Sequence, residues 1–202
     1  MDSDLADSIS ALKASFERRG VPAQWGSASP ELVADLKNKL RVPRRYREFL
    51  AHADPLDIET RTPSERVRLI PSQSLLDEQV GYSLTESREL IKGTLPSGWR
   101  AGWIIIAHSA LLGDPYFLDV GSPDAEGDCP VFTAMSGTEN WKPRLCASSF
   151  ATFLRILAIG MEVARGFSDD DLDMDDEQVF RESLGPKIRE YDPAALKAGH
   201  WT

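Results

Sequence analysis

Cysteine, histidine and long apolar runs are scarce in this sequence, and each scarcity excludes a class of protein. The two cysteines, Cys129 and Cys146, form no CxxC pair and are too few for a disulfide framework. The three histidines form no HxH or HExxH motif, so the sequence predicts no metal site of the zinc type. No apolar run approaches the roughly 18 residues that a membrane-spanning helix needs.

Motifs of phosphate binding and of catalysis are also missing. The chain contains no GxxxxGK[ST] loop, no GxGxxG turn and no GxSxG elbow. The sequence therefore predicts no cofactor and no catalytic residue. The stretch Met1 to Asp4 is not a basic and then apolar leader, and with so few cysteines we expect a cytoplasmic protein.

Positive charge is in deficit as well, with a formal net charge of −9 over 202 residues. A direct nucleic-acid partner needs a basic footprint on the protein, so this balance argues against one. An acidic surface instead favours and steers a basic protein partner.

Apolar residues recur at helical spacing in the first quarter of the chain. One face of a first helix is formed by Leu5, Ile9, Leu12 and Phe16. Gly20 closes this helix, and Ser29 with Pro30 predicts the N-cap and first position of a second one. A third, short helix is expected to start at Pro43.

Extended patterns follow in the middle of the chain. Val67 and Leu69 alternate with arginines, which predicts a strand with one polar face. The nearly all-apolar run 103–107 predicts a strand inside a sheet, and two more strands are expected at 116–120 and 131–134. We could not assign a structure to residues 81–98 from their weak periodicity.

Helical patterns return after the strands. Ser148 or Ser149 caps the strongest helix, which ends at Gly166, and a shorter helix is expected to stop at Gly185-Pro186. This order predicts an α+β fold, an antiparallel or mixed sheet packed by helices, with a C-terminal helical extension. We expect one domain over 1–166, and an acidic linker and extension over 167–202, packed on the domain or tethered to it.

Several short segments carry a resemblance to a known family when they are taken together and in order. They are Trp25-Gly26, the helix 32–40, the segments 42–50 and 147–154, Trp103 with its strand, Gly113-Asp114-Pro115-Tyr116-Phe117-Leu118-Asp119, and Pro130-Val131-Phe132. In this order they resemble the SUKH superfamily of the SMI/KNR type. The resemblance implies a non-enzymatic recognition domain. Many bacterial members are immunity proteins that neutralise a toxin, frequently a nuclease, and fungal relatives act as regulatory hubs.

The resemblance and the negative charge together suggest where a partner binds. We predict a surface made of acids near the open end of the sheet together with exposed aromatics. Its residues are Asp114, Tyr116, Asp119, Asp124, Glu126, Asp128 and Trp141. A basic toxin domain would be steered to this surface and its active site occluded.

The acidic run in the C-terminal part spaces its carboxylates like a calcium loop. Asp171, Asp173, Asp175 and Glu182 fall at positions 1, 3, 5 and 12 of that motif. Asp176, however, stands where the sharp turn needs glycine. A solvated linker and a docking strip for a basic partner remain the other interpretations of this run.

Two further functions stay open beside the immunity function. One is a regulatory or scaffold protein without a toxin target. The other is an enzyme centred on the region from His108 to Asp119, where His108, Ser109 and Asp114 can be grouped as a triad. Triads are defined by geometry, which a sequence pattern does not supply.

Overall fold

The structure is a computed structural model that describes residues 3–138, 140–167 and 174–202, the side chains of 174 and 175 excepted. Its helices are α1 (Ser3–Arg19), α2 (Pro30–Leu40), α3 (Arg44–Ala53), α4 (Phe150–Val163), α5 (Met174–Tyr191) and α6 (Pro193–Lys197). Its strands are β1 (Gln24–Gly26), β2 (Asp54–Asp57), β3 (Val67–Leu69), β4 (Trp103–Ser109), β5 (Pro115–Asp119), β6 (Val131–Thr133) and β7 (Arg144–Ala147).

The main sheet has five strands in the order β3-β4-β5-β6-β7, and every neighbouring pair is antiparallel. Strands β1 and β2 form a separate antiparallel pair. The predicted α+β fold with a C-terminal helical region is therefore confirmed. The apolar strand β4 is paired on both sides, as its composition predicts.

The two faces of the main sheet are covered in different ways. Successive strand side chains point to opposite faces, so Tyr116 and Phe117 lie on different sides. The Tyr116 ring packs against Phe153 of α4 with centroids 5.5 Å apart, and α1 packs on α4. On the other side, the Phe117 ring packs against the fully buried Trp99, with ring centroids 4.8 Å apart. Helices cover one face, and the long connection between β3 and β4 covers the other.

This connection, which includes the unassigned residues 81–98, is held by side chains that bond the sheet backbone. The buried Gln79 amide donates to the carbonyl of Ile105 at 2.9 Å and accepts from its N–H at 3.0 Å. Ser83 donates to the carbonyl of Trp103 at 2.5 Å. Gln79 thus satisfies the backbone N–H and carbonyl of Ile105 in β4, as a neighbouring strand would, at a position where β3 has already ended.

Local capping signals are confirmed where the sequence predicts them. Ser29 accepts a hydrogen bond from the N–H of Leu32 at 3.2 Å, and Ser149 accepts from the N–H of Thr152 at 3.0 Å. Of the two serines considered for α4, Ser149 is therefore the cap. Gly20 adopts a φ of +65°, the left-handed conformation that ends a helix most readily at glycine.

The predicted stop of the next helix at Gly185-Pro186 is wrong, because α5 continues to Tyr191 with Pro186 inside it. Proline costs a helix one N–H bond and some strain, so something must offset it. Beyond Pro186 the helix buries Ile188 completely, and α5 packs on both α4 and α6. Tertiary packing therefore overrides the local stop signal.

The C-terminal segment is attached to the sheet at two points. The buried Asp192 carboxylate caps α6 and also accepts from the backbone N–H and hydroxyl of Ser148 at 2.6 and 2.9 Å. The Trp201 indole donates to the carbonyl of Cys146 at 2.7 Å, on the outer side of edge strand β7. The helical extension is thus packed on the sheet domain, while the boundary at residue 166 stays a prediction.

Candidate functional site

The residues predicted to bind a partner lie at two opposite ends of β5. Asp114 precedes the strand at the β4–β5 hairpin, whereas Asp119 ends it at the β5–β6 connection. Five residues of extended chain span on the order of 17 Å, so these acids do not meet. The single predicted surface is therefore two separate regions.

At the β5–β6 end, three carboxylates remain at the surface. Asp119 is partly exposed, and Asp124 and Glu126 are exposed. Asp124 accepts from the N–H groups of Glu126 and Asp128, both at 2.8 Å, which holds the turn. We call Asp119, Asp124 and Glu126 the acidic loop. Its nearest cation is Arg44, which donates to the Glu126 carbonyl at 2.6 Å.

Asp128 belongs to the interior, so its predicted exposure is wrong. Its carboxylate accepts from the N–H groups of Cys129, Phe150 and Ala151 at 2.7 to 3.1 Å, which caps the start of α4. The Arg45 guanidinium lies 3.7 Å away. Burial raises the pKa of Asp128 although these donors and Arg45 oppose the rise. The interior position lets Asp128 satisfy the first two amides of α4, while Ser149 accepts from the third.

Tyr116 and Trp141 were predicted as exposed aromatics, and the structure differs for both. Tyr116 is fully buried, so its predicted exposure is wrong. Trp141 is partly buried and packs on Trp99 and Tyr82, with ring centroids 5.1 and 5.8 Å apart.

Asp114, the predicted acid at the hairpin end, accepts two hydrogen bonds from Ser136 at 2.7 and 2.8 Å, which tie the β4–β5 hairpin to the β6–β7 connection.

A cleft of about 1030 Å³ opens at the hairpin end of the sheet. We call it the hairpin cleft. It lies between the β4–β5 hairpin, the segment before β3, the β6–β7 connection and α5. Its lining includes Glu65, Leu111, Leu112, Asp114, Met135, Lys142, Arg144, Glu177, Arg181 and His200.

Three polar groups from distant parts of the chain meet at the base of this cleft. The Tyr116 hydroxyl donates to Glu65 at 3.1 Å and lies 2.9 Å from Nε2 of His200. Because the one hydroxyl proton of Tyr116 goes to Glu65, His200 donates from Nε2 to the Tyr116 oxygen. Ser109 donates to the other Glu65 oxygen at 2.8 Å. The base is thus a continuous chain of hydrogen bonds from His200 through Tyr116 and Glu65 to Ser109.

Burial shifts the pKa of each group in this chain toward its neutral form. It raises the pKa of Glu65, against the hydrogen bond from Ser109, and raises the pKa of Tyr116 well above its ordinary value. Burial, aided by Arg144 and Arg181, lowers the pKa of His200 to about 3. His200 is therefore neutral at physiological pH and adds no positive charge to the cleft.

The rim and wall of the cleft differ in character from its base. The hairpin residues Leu111 and Leu112 are 42% and 70% exposed, and Met135 across the opening is 64% exposed. These are three of the few exposed large apolar side chains in the part of the chain that the structure describes. The wall carries Lys142 and Arg144, both exposed.

The triad grouped at the sequence level does not form. His108 lies 3.0 Å from Glu78, Ser109 bonds Glu65, and Asp114 bonds Ser136. The neighbouring strand residues His108 and Ser109 point to opposite faces of the sheet, which keeps the imidazole away from the hydroxyl. This grouping therefore gives the enzyme alternative no geometric support.

No group of three or more metal-ligating side chains occurs among the described residues. The calcium-loop positions Asp171 and Asp173, and the side chain of Asp175, lie outside the description, so that hypothesis stays a prediction. No described helix is long and apolar enough to cross a membrane.

Sequence reasoning named Asp114 and Tyr116 but missed Glu65, His200 and the two cations of the hairpin cleft. Tyr116 is 51 residues from Glu65 and 84 from His200, so no local pattern connects them. One usable signal was Asp192-Pro193, a cap followed by a first-turn proline, which predicts α6 and thereby a folded C terminus. The return of aromatic character at Trp201 points the same way.

The architecture defines a class, an α+β protein whose antiparallel sheet is backed by helices. The sequence profile of the SMI1 / KNR4 family (SUKH-1) matches residues 27–156, well over half of the chain. The chain belongs to this family, and the resemblance noted from the sequence is confirmed. The family is known for immunity-type proteins, which are generally non-catalytic and bind toxins. No curated protein matches the chain.

Proposed function

We propose that this protein is an immunity protein, which neutralises a cognate toxin by binding it stoichiometrically. Family membership over residues 27–156 is the observation that carries the proposal. The acidic loop supports a basic toxin, such as a nuclease domain, because its three carboxylates lie at the surface and, among the described residues, Arg44 is the one cation that forms an ion pair with them. The buried free thiols of Cys129 and Cys146 fit action in a reducing cytoplasm.

Occlusion of the toxin's active site is the proposed mechanism. A surface of net charge −9 attracts a basic protein over a Debye length of roughly 8 Å in physiological salt, which raises the association rate. Once bound, the protein keeps the toxin's substrate out, so no chemical step is required of it. Charge sets the encounter rate, and packed contacts set the lifetime of the complex.

The test begins with capture of the partner on the tagged full-length protein, from a lysate of its own cells at low and high salt. The captured protein is then purified and its activity is titrated with this chain. We expect a basic partner whose activity falls to zero at one equivalent. A partner that keeps full activity when saturated would contradict neutralisation.

A matched pair of variants separates the acidic loop from net charge. Replacing the loop by Asp119→Asn, Asp124→Asn and Glu126→Gln keeps the hydrogen-bond acceptors and removes three charges. The control removes three exposed charges elsewhere, by Asp7→Asn, Asp57→Asn and Glu86→Gln. At low salt we expect the loop variant to associate about tenfold more slowly than the control. Equal association rates for the two variants would contradict electrostatic steering by the acidic loop.

The regulatory or scaffold alternative predicts a different capture. Only non-toxic regulatory or structural proteins would then be retained, and salt would matter little because no basic partner is steered. That result would replace the immunity proposal, while the family assignment would stand.

A further inference from the structure

The exposed apolar residues of the hairpin cleft are the first reason to expect a partner there. Leu111, Leu112 and Met135 come from two different connections, yet they border one opening. Exposed large apolar side chains grouped in this way, next to polar ones, mark interaction sites more often than chance. The flanking hydrogen bonds from Ser136 to Asp114 hold the two connections together, so the rim is preformed.

The charges that the cleft can offer are positive. Among the residues that the structure describes, no carboxylate lies within ion-pairing distance of Lys142 or Arg144. The third cation, Arg181, pairs with Glu177 at 2.8 Å and donates to the carbonyl of His200. Lys142 and Arg144 are therefore the charges left for a ligand.

The acids of the cleft are already engaged. Glu65 accepts from Ser109, Tyr116 and a backbone N–H at the base, and Asp114 accepts from Ser136. A basic ligand would have to compete with these bonds, whereas an acidic one meets two cations that no carboxylate of the described residues pairs with. Charge complementarity thus selects an anionic group.

We propose that the hairpin cleft is a docking site for an acidic and apolar segment of the protein partner. Its apolar side chains would pack between Leu112 and Met135, and a carboxylate would meet Lys142 and Arg144. The inference deepens the proposed function, since the occupant is a segment of the protein to be neutralised. A partner would then present a basic region to the acidic loop and an acidic one to the cleft, which fixes its orientation.

The size of the cleft favours a peptide segment over a small molecule. Pockets for small ligands enclose roughly 300–1,000 Å³ and bury most of the ligand surface. The hairpin cleft, at about 1030 Å³, is as large as the upper end of that range, and its apolar rim stands exposed rather than enclosed. Such an opening suits two or three side chains from an extended segment.

A peptide test addresses the cleft without any toxin, so it can fail while the proposed function stands. The probe is acetyl-Asp-Leu-Glu-Leu-amide, titrated into the full ¹⁵N-labelled chain, with acetyl-Lys-Leu-Lys-Leu-amide as the charge-reversed probe. We expect saturable shifts of the amide signals of Leu112, Met135 and Arg144 with the acidic probe, with a Kd on the order of 1 mM. The lysine probe should bind at least tenfold more weakly.

Matched variants then test the two cations. Lys142→Glu with Arg144→Glu should weaken the acidic probe at least tenfold. Lys37→Glu with Lys92→Glu, which reverses two exposed cations elsewhere, should change binding less than twofold. Retained amide dispersion in both variants shows that folding is intact.

Four results would overturn the proposal. One is a lysine probe that binds as tightly as the acidic probe. Another is a set of amide shifts that map outside the cleft. A third is an equal loss of binding in the two charge-reversed variants. Finally, sodium octanoate binding more tightly than the acidic peptide would assign the cleft to a small amphiphile instead.

Discussion

The two ends of β5 use their polar groups in opposite ways. At the β5–β6 end, one carboxylate is buried to build the fold, and three others stay at the surface as the acidic loop. At the hairpin end, the polar groups are drawn inward into the chain from His200 through Tyr116 to Glu65, and apolar side chains form the rim. One end presents negative charge, and the other presents apolar surface with two cations.

The difference shows that residue type does not decide a side chain's task. Asp124 and Asp128 are four residues apart, but one is exposed in a turn and the other caps α4 from the interior. Their shared charge therefore says nothing about a shared partner. What separates them is which backbone N–H groups each carboxylate must satisfy.

The largest expected effect is at the buried acid of the β5–β6 end. Asp128→Ala should lower the free energy of unfolding by about 3 kcal/mol, because it leaves three N–H groups without an acceptor and removes the buried carboxylate that lies 3.7 Å from Arg45. Urea unfolding measures the change.

Two neighbours serve as controls for this substitution. Asp128→Asn keeps an acceptor oxygen and should cost less than alanine, while Glu126→Ala should stay within about 0.5 kcal/mol because its carboxylate is exposed. A Glu126 variant as unstable as Asp128→Ala would erase the distinction between the buried acid and the acidic loop.

The second effect, at the hairpin end, depends on pH. His200 has a pKa of about 3 in the folded protein and an ordinary value of 6.5 when unfolded. The unfolded chain therefore takes up a proton first, so the stability that neutral His200 contributes is full above pH 6.5 and is lost as pH falls toward 3. By pH 5 the loss is about 2 kcal/mol.

Other carboxylates also titrate in this range, so the measurement needs a variant that lacks the imidazole. His200→Gln keeps a donor for the Tyr116 hydroxyl and does not titrate. The difference in unfolding free energy between wild type and this variant should shrink or reverse from pH 7.5 to pH 5. A constant difference would mean that His200 is solvated, and that the base of the cleft is open to water.

The sequence predicts well what depends on near neighbours. Ser29, Ser149 and Gly20 end or begin helices where expected, since a cap bonds the chain within three residues. The apolar run of β4 likewise predicts a strand in the interior of the sheet. Strands β1, β2 and β7 were not predicted, because their three or four residues lack the apolar alternation that Val67 and Leu69 give the equally short β3.

The candidate site depends on distant neighbours and was only partly predictable. The acidic loop follows from a polar connection between two strands. The hairpin cleft needs α5 to pass Pro186 and the tail to return over Tyr116, and both follow from packing of the whole chain. Trp99, equally, is a loop residue by sequence and a core residue because Phe117 and Trp103 enclose it.

A smaller effect is expected from the central group of the cleft base. Tyr116→Phe removes one hydroxyl while the ring still packs on Phe153, so the loss of stability should be about 1–2 kcal/mol. Glu65 then lacks a donor, which further disfavours its ionised form. The loss should accordingly grow as pH rises from 4 to 7, in the same direction as the contribution of His200, and thermal unfolding across that range measures it. A loss independent of pH would uncouple Glu65 from Tyr116.

The smallest effect on stability is expected where the effect on binding should be greatest. The loop variant Asp119→Asn, Asp124→Asn and Glu126→Gln keeps the acceptors of the turn, so its unfolding free energy should stay within about 0.5 kcal/mol of wild type. Within that range we expect a small gain at low salt, because removing three negative charges from a protein of net charge −9 relieves repulsion in the folded state. If urea unfolding instead showed a loss near that of Asp128→Ala, the loop acids would be structural. The acids at both ends of β5 would then stabilise the fold, and the two ends would differ only in the apolar rim of the hairpin cleft. Steering of a partner would have to come from another surface.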